Sequence, residues 1–160
     1  MARPELTPIA RALGRVPSGL YIVTTVHAGR PLGFLGSLVQ QIGFEPPVVC
    51  LAVAKDRPQL AHIEASGGFA LSVLDEASQG VKSAFLRRLP EGATPFDGLK
   101  IGQSTAGRAV LLDALAWVDC RFSGKHDVGD HVVVFGTVLE GALQREGDPH
   151  VHLRKNGLGY

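Results

Sequence analysis

The sequence predicts a mainly β domain, an antiparallel barrel crossed by two or three short helices. Glycine and proline, 20 and 10 of the 160 residues, divide the chain into short β-prone runs. Two runs, 47–53 and 131–139, are apolar on both faces, as expected of strands that are covered on each side. Neither a repeat nor a linker interrupts the pattern, so residues 1–160 are expected to form a single domain.

The first half of the chain is predicted to hold strands and two helices. A short helix is expected at 8–13, followed by a hairpin in which GLYIVTTV and RPLGFLGSLV flank HAG. After the strand PVVCLAV, the segment RPQLAHIEASGG carries Pro58 in a first helical turn and two glycines at its end. The strand FALSVL and the helix ASQGVKSAFLRRL follow.

The second half is predicted to hold a long loop and a long hairpin. Residues 90–108 form a glycine-rich excursion, which is either a binding lid or a mobile surface loop. Beyond it, residues 118–123 alternate between an apolar face and a polar face that includes Asp119. The turn DVGD then leads into the apolar strand 131–139, which completes the hairpin.

Charge and cysteine content argue against several classes of function. Lysine and arginine number 16 against 15 acidic residues, and no basic run is present, so neither nucleic acid nor a membrane is the expected partner. No apolar run reaches the roughly 20 residues needed to cross a bilayer. Cys50 and Cys120 lie 70 positions apart without a CxxC motif or a secretory leader, which predicts two reduced, buried thiols and a cytoplasmic location.

Several familiar sites are missing from the sequence. It lacks GxxxxGK[ST], a GxGxxG between a strand and a helix, and GxSxG, which argues against a nucleotide fold or a serine hydrolase. His150 and His152 are spaced to share one face of a strand and could supply two metal ligands. Because no third ligand is evident, no metal site is predicted.

The stretch FLGSLVQQIGFEPPVVCLAV, residues 34–53, places two adjacent amides in a β-prone run. We expect residues 34–39 to form a strand, with Gln40 and Gln41 in the connection that precedes the extended EPP segment. The backbone N–H groups of 36–41 and the two amides could bind a flat heteroaromatic ring. Alternatively, the amides satisfy neighbouring loop backbone, and the sequence favours neither interpretation.

Five segments together resemble one known family: RALGRVPSGLYIVTT, GFLGSLVQQIGFEPPVVCLAV, GGFALSVL, AWVDCRF and GDHVVVFGTVLEG. They follow in the order seen in the flavin reductase-like family of FMN-binding split barrels, over Arg11 to Tyr160. The sequence is most similar to the C-terminal flavin reductase module of diflavin flavoproteins. This resemblance implies an antiparallel, Greek-key-like split β-barrel, usually a homodimer, that binds FMN near the dimer interface.

The resemblance also implies residues that contact the cofactor. Gly36, Ser37, Leu38, Val39 and Gln40 match the segment that lines the isoalloxazine in relatives, and Gln41 supports that loop. Leu38 replaces an aromatic residue often found in the diflavin branch. In AVAKDRPQL, the phosphate and ribityl contacts of relatives match Lys55, Arg57 and Pro58, although a solvated charged turn is the alternative.

Further matches follow towards the C-terminus. Phe85 corresponds to a phenylalanine that approaches the flavin in relatives, or else it faces the core. Asp130 and His131 match a GDH turn in which the histidine is implicated in nicotinamide binding, so His131 is the predicted catalytic residue. Its alternative role is to bond the backbone of the tight hairpin. Tyr160, in the terminal HLRKNGLGY, matches a tyrosine that approaches the cofactor.

From this resemblance we expect an FMN-dependent NAD(P)H:flavin oxidoreductase, in which hydride passes from the nicotinamide of NADH or NADPH to the flavin. The rival interpretation is an FMN-binding electron-transfer protein with little direct NAD(P)H activity. A third is a structural barrel whose flavin site has decayed through the change at Leu38. A homodimer is the expected assembly, with a monooxygenase or another electron-transfer protein as acceptor.

Overall fold

The computed structural model describes residues 6–159, which form an antiparallel β-sheet structure with three α-helices and one 3-10 turn. The helices are α1 (Pro8–Leu13), α2 (Gln59–Ser66) and α3 (Gln79–Leu86), with the 3-10 turn at Glu76–Ser78. The strands are β1 (Tyr21–His27), β2 (Arg30–Gly36), β3 (Val39–Phe44), β4 (Pro47–Ala54), β5 (Gly68–Val73), β6 (Ile101–Gln103), β7 (Ala109–Leu111), β8 (Ala116–Val128) and β9 (His131–Leu143). The predicted mainly β, antiparallel class with short helices is therefore confirmed.

Seven strands make one sheet in the order β2-β1-β5-β8-β9-β4-β3. Strands β2 and β3 lie at opposite edges, yet only Ser37 and Leu38 separate them in the chain. Three extended residue steps span at most about 11 Å, whereas six strand spacings of a flat sheet amount to about 29 Å. The sheet must therefore roll until its edges meet. It forms a barrel that stays open at the β2–β3 split, since no strand pairing joins these edges within residues 6–159.

Most predicted elements lie where the sequence signals put them. α1 occupies the expected residues 8–13, with the Thr7 hydroxyl accepting a hydrogen bond from the Ala10 N–H. α2 follows Pro58 and ends at Gly67, whose φ of 75° is readily adopted only by glycine. The long hairpin is β8–β9, paired from Ala116 and Leu143 to its tip.

The expected location of Gln40 and Gln41 in a connection is wrong. The predicted strand 34–39 breaks at Ser37 and Leu38, and the glutamines lie inside β3, where Gln40 pairs with Cys50 and Gln41 with Val49. The chain resumes β structure at once because the Leu38 carbonyl accepts a hydrogen bond from the Ala52 N–H, which brings the next residues alongside β4.

The excursion at 90–108 is also more regular than expected. Its second part contains β6, which pairs with β7, and its first part is held by Phe96, only 6% exposed. The Phe96 ring packs edge-on against Phe85 of α3, with 5.2 Å between the ring centroids. The segment is therefore anchored to the core through Phe96 and to β7 through β6.

Two apolar clusters stabilise the rolled sheet. One fills the barrel interior and includes Leu51, Phe69 and Val134, with Ile63 of α2 closing one end. The other lies outside β1 and β5, where Val81 of α3, Phe96 and Leu111 cover Ile22. Cys120 belongs to the first cluster, and burial raises the pKa of its thiol to about 12. Both cysteines are free, but only Cys120 is buried as predicted, because Cys50 is half-buried.

Asp119 is buried, although the sequence pattern places it on a polar face. The turn between β6 and β7 covers it, and the Arg108 Nη1 atom donates to both carboxylate oxygens at 3.0 Å. Both side chains are nearly inaccessible, at 6% and 1% exposure. Because neither charge can be hydrated, each requires the other.

We expect Asp119→Ala to destabilise the protein by about 3–5 kcal/mol, because it leaves a buried guanidinium unpaired. Urea unfolding measures the change. Glu64→Ala is the matched control, since the side chains of its ion pair with Lys125 are partly exposed, 33% for Glu64 and 46% for Lys125. This pair should contribute less than about 1 kcal/mol. Equal losses in the two variants would contradict the account, and Arg108→Met/Asp119→Leu should recover much of the stability.

Candidate functional site

A continuous cleft lies at the split between β2 and β3. It consists of three adjoining pockets with volumes of about 660, 490 and 390 Å³. Leu38, Ala54 and Arg57 line both the first and the third pocket, whereas Leu35, Gly36 and Ser37 line both the second and the third. The two residues that join the edges of the sheet therefore also lie at the centre of the cleft.

Four parts of the chain form the walls. The first is the turn after β4, and the second is the tip of the β8–β9 hairpin at Asp130 and His131. The third is the end of α3, which contributes Phe85 and Leu86. The fourth is the segment 150–159, here called the C-terminal strap, which lines the first and second pockets.

Backbone hydrogen bonds hold the C-terminal strap in place. The His150 N–H donates to the Leu74 carbonyl at 2.8 Å, and His152 exchanges two backbone bonds with Ser18, at 2.7 and 3.0 Å. Further on, the Gly157 N–H donates to the Ala10 carbonyl of α1 at 2.9 Å. The strap thus lies against three separate parts of the fold without joining the main sheet.

Four lysine and arginine side chains line the cleft: Lys55, Arg57, Arg154 and Lys155. The first three differ in their partners. The Lys55 ammonium lies 3.1 Å from the Asp127 carboxylate in an exposed pair. Arg154 Nη2 donates to Ser37 Oγ at 2.9 Å, which links the strap to the split. The Arg57 guanidinium is exposed and has neither an ion pair nor a hydrogen bond within the described part of the chain. These side chains make the cleft suitable for an anionic group.

The hairpin tip presents an oriented imidazole. His131 Nδ1 donates to Asp130 Oδ1 at 2.8 Å, while the Lys55 N–H donates to the Asp130 carbonyl at 3.0 Å. This side-chain bond from His131 lowers the pKa of Asp130 below its ordinary value, so the carboxylate stays ionised at neutral pH. The His131 side chain is 20% exposed and lies at the wall of the largest of the three pockets in the cleft.

Phe85 owes its position to a glycine on the neighbouring strand. A Cβ at Gly33 would lie 2.7 Å from Phe85 Cε1 and 2.9 Å from Phe96 Cζ, so any larger residue would collide with both rings. With glycine there, the two aromatic side chains pack directly on β2. Phe85 is half-buried: it packs against the core cluster, as one of the two interpretations held, and it also lines the cleft.

Eight of the predicted site residues line the cleft: Gly36, Ser37, Leu38, Lys55, Arg57, Phe85, Asp130 and His131. The other predicted site residues within the described part of the chain do not line the cleft. Pro58 is an exposed residue at the start of α2, and Val39 packs against the interior cluster. The amide groups of Gln40 and Gln41 donate to the carbonyls of Gln41 and Gly43, as the alternative interpretation held. Tyr160 lies outside the described residues.

Sequence reasoning missed the contribution of the C-terminal strap. It selected Tyr160 from HLRKNGLGY but overlooked Arg154, Asn156 and Gly157, which line the cleft. The signal was available in the basic LRK triplet, but no periodicity indicated where that segment would lie.

Residues 6–159 contain no group of three or more histidine, cysteine or acidic side chains that could hold a metal ion. His152 instead lines the second pocket. Burial lowers its pKa, and the positive charge of Arg154 lowers it further. In the same range, every helix is too short or too polar to cross a bilayer.

Comparison with known proteins identifies strong similarities. The profile of the family described as "Flavin reductase like domain" matches residues 13–157. Diflavin flavoprotein A 1 of Synechocystis sp. is 36% identical over 154 residues, which are 95% of this chain and 27% of that protein. The chain therefore spans about a quarter of the length of the curated relatives it matches.

Solved structures agree with the sequence comparison. Nitrilotriacetate monooxygenase component B homolog from Mycobacterium thermoresistibile superposes with a TM-score of 0.82 and 35% identity, over 91% of this chain and 80% of that one. The NADH:FAD oxidoreductase of Streptomyces globisporus C-1027 gives a TM-score of 0.82 over 96% and 95% of the two chains. At 22% identity, this second similarity is one of fold.

We expect Gly33→Ala to destabilise the protein by about 1–3 kcal/mol and to push Phe85 into the cleft, because the added methyl group overlaps both rings. Urea unfolding and the Phe85 rotamer in a crystal structure measure the two effects. Gly80→Ala in α3 is the control: its Cβ meets nothing within 4 Å, so it should stabilise the helix by about 0.5–1 kcal/mol. A Gly33→Ala variant of unchanged stability would contradict this interpretation.

Proposed function

The chain belongs to the flavin reductase like domain family, and on that premise we propose that it binds FMN in the cleft and transfers hydride to it from NADH or NADPH. The observation that carries the proposal is the continuous cleft at the β2–β3 split, with basic side chains beside it. An FMN-binding electron-transfer protein is the second candidate. It is favoured by the diflavin flavoprotein relatives, of which this domain spans only a quarter.

The cleft residues suit the two chemically different ends of FMN. Leu38 and Phe85 offer apolar surface to a flat ring, and Ser37 offers a hydroxyl to its polar edge. Arg57 lies just before α2, where the N–H groups of the first helical turn also favour an anion. We assign the ring to the split and the phosphate to the wall formed by the turn after β4, which carries Lys55 and Arg57.

Bound flavin would supply the hydride-accepting centre, and the protein would supply binding and orientation. His131 is proposed to orient the nicotinamide, since its imidazole lies at the wall of the first and largest of the three cleft pockets. The Asp130 carboxylate accepts from Nδ1 and so determines which ring nitrogen faces the cleft. Asp130 is therefore a positioning residue for His131.

Two features support proposals about partners. The name of the Mycobacterium thermoresistibile relative describes one component of a monooxygenase, which supports a monooxygenase as acceptor of the reduced flavin. A homodimer is supported by the outer faces of β4 and β9, where Cys50 lies opposite Phe135 and Ala52 opposite Val133. These residues are only half-buried, so the face predicted to be covered is still partly open in one chain.

The first experiment follows the absorbance of FMN-reconstituted protein under anaerobic conditions after addition of NADH and, separately, NADPH. We expect the flavin band near ~450 nm to bleach faster than that of free FMN, because the cleft would hold both reactants in contact. His131→Asn should slow bleaching while leaving FMN affinity nearly unchanged. Protein that binds FMN but stays yellow with both donors would favour the electron-transfer candidate, and protein that binds no FMN would overturn both.

The dimer is tested with Val133→Glu, which places a charge on the half-buried outer face of β9. We expect the variant to be monomeric in light scattering after gel filtration, because a charge buried in an apolar interface without a partner is costly. Leu112→Glu is the control, since that side chain is 44% exposed on a turn outside this face. A wild-type protein that is itself monomeric at micromolar concentration would refute the dimer.

A further inference from the structure

The bond between Arg154 and Ser37 joins residues 117 positions apart. Ser37 lies in the split and is 6% exposed, so its hydroxyl oxygen is a fixed acceptor. Arg154 lies on the C-terminal strap, at the junction of the first and second pockets. Since the strap is anchored by backbone bonds on both sides of Arg154, this contact gives the guanidinium a defined direction.

The Arg154 guanidinium has further N–H donors on the cleft side that Ser37 does not engage. Arginine carries five N–H donors in a planar fork, and one nitrogen of Arg154 is engaged with Ser37. Within residues 6–159 no carboxylate forms an ion pair with Arg154. Burial and the neighbouring Arg154 charge lower the pKa of His152, so at neutral pH the strap's positive charges at the cleft are those of Arg154 and Lys155.

Arg57 lines the same pocket as Arg154 but comes from a different wall. Both lack an ion pair in the described part of the chain, whereas Lys55 is held by Asp127. Planar guanidinium groups match the oxygens of phosphate, to which they bind in bidentate fashion. The same pocket is also lined by Asp56 and Asp130, so its three cations exceed its carboxylates by one charge, which a neutral ring system would leave uncompensated.

We propose that Arg154, held by Ser37, binds the flavin phosphate together with Arg57, and that the strap thereby selects phosphorylated flavins over riboflavin. The proposal rests on the flavin binding put forward above. Ser37 contributes twice: its oxygen accepts from Arg154, so its own O–H proton is directed elsewhere and is available to the ligand.

The test compares the dissociation constants of FMN and riboflavin, measured by quenching of flavin fluorescence at fixed ionic strength. For Arg154→Gln we expect FMN to bind about 10–100-fold more weakly, the loss typical of a charged hydrogen bond. Riboflavin affinity should change less than about twofold, because riboflavin carries no phosphate. Arg154→Lys should lie between wild type and Arg154→Gln for FMN, since it retains the charge without the planar fork.

Arg121→Gln is the matched control, because it removes the same charge from an exposed position on β8 outside the cleft lining. It should leave the FMN-to-riboflavin affinity ratio unchanged. Equal weakening of both ligands by Arg154→Gln would mean a structural role only and would overturn the proposal, as would unchanged FMN affinity. Wild-type protein that binds neither flavin would instead refute the proposed function. Should Arg154→Gln not fold, an unchanged affinity ratio in Arg154→Lys would also overturn the proposal.

Discussion

A two-residue connection between opposite edges of the sheet constrains the whole molecule. Because Ser37 and Leu38 must reach from β2 to β3, the seven strands can adopt only a rolled arrangement. The roll produces an interior that the apolar cluster fills and a seam that cannot close by strand pairing. The cleft is this seam, so the candidate site is a direct product of the topology.

The walls of the cleft come from distant parts of the chain, and polar contacts tie them together. Ser37 binds Arg154, and Lys55 bonds the hairpin tip through both its backbone N–H and its ammonium group. At the base of the strap, the Arg145 guanidinium bonds the Asp75 carboxylate and lowers its pKa. Each of these contacts links segments that no local signal relates, so the site exists only in the complete fold.

The sequence predicted features with local causes. Proline and glycine marked both ends of α2, and the alternation of apolar residues located the β8–β9 hairpin. Prediction from the sequence failed where tertiary contacts determine the local structure. Gln40 and Gln41 lie in a strand because β4 offers a pairing edge, and Asp119 is buried because the β6–β7 turn covers it. The C-terminal strap has no periodicity, and only its contacts with Ser18 and Leu74 define its path.

The bulges in β8 have a consequence for the cleft, although they lie away from it. The register of β8 against β9 shifts at Asp119/Cys120 and again at Phe122/Gly124, and such bulges increase the local twist of a strand. The width of the seam is set by the twist accumulated over six strand pairs. The rolled sheet is open between its edge strands β2 and β3. A substitution that changes the twist at these bulges would therefore change the gap between β2 and β3, although it lies outside the walls of the cleft.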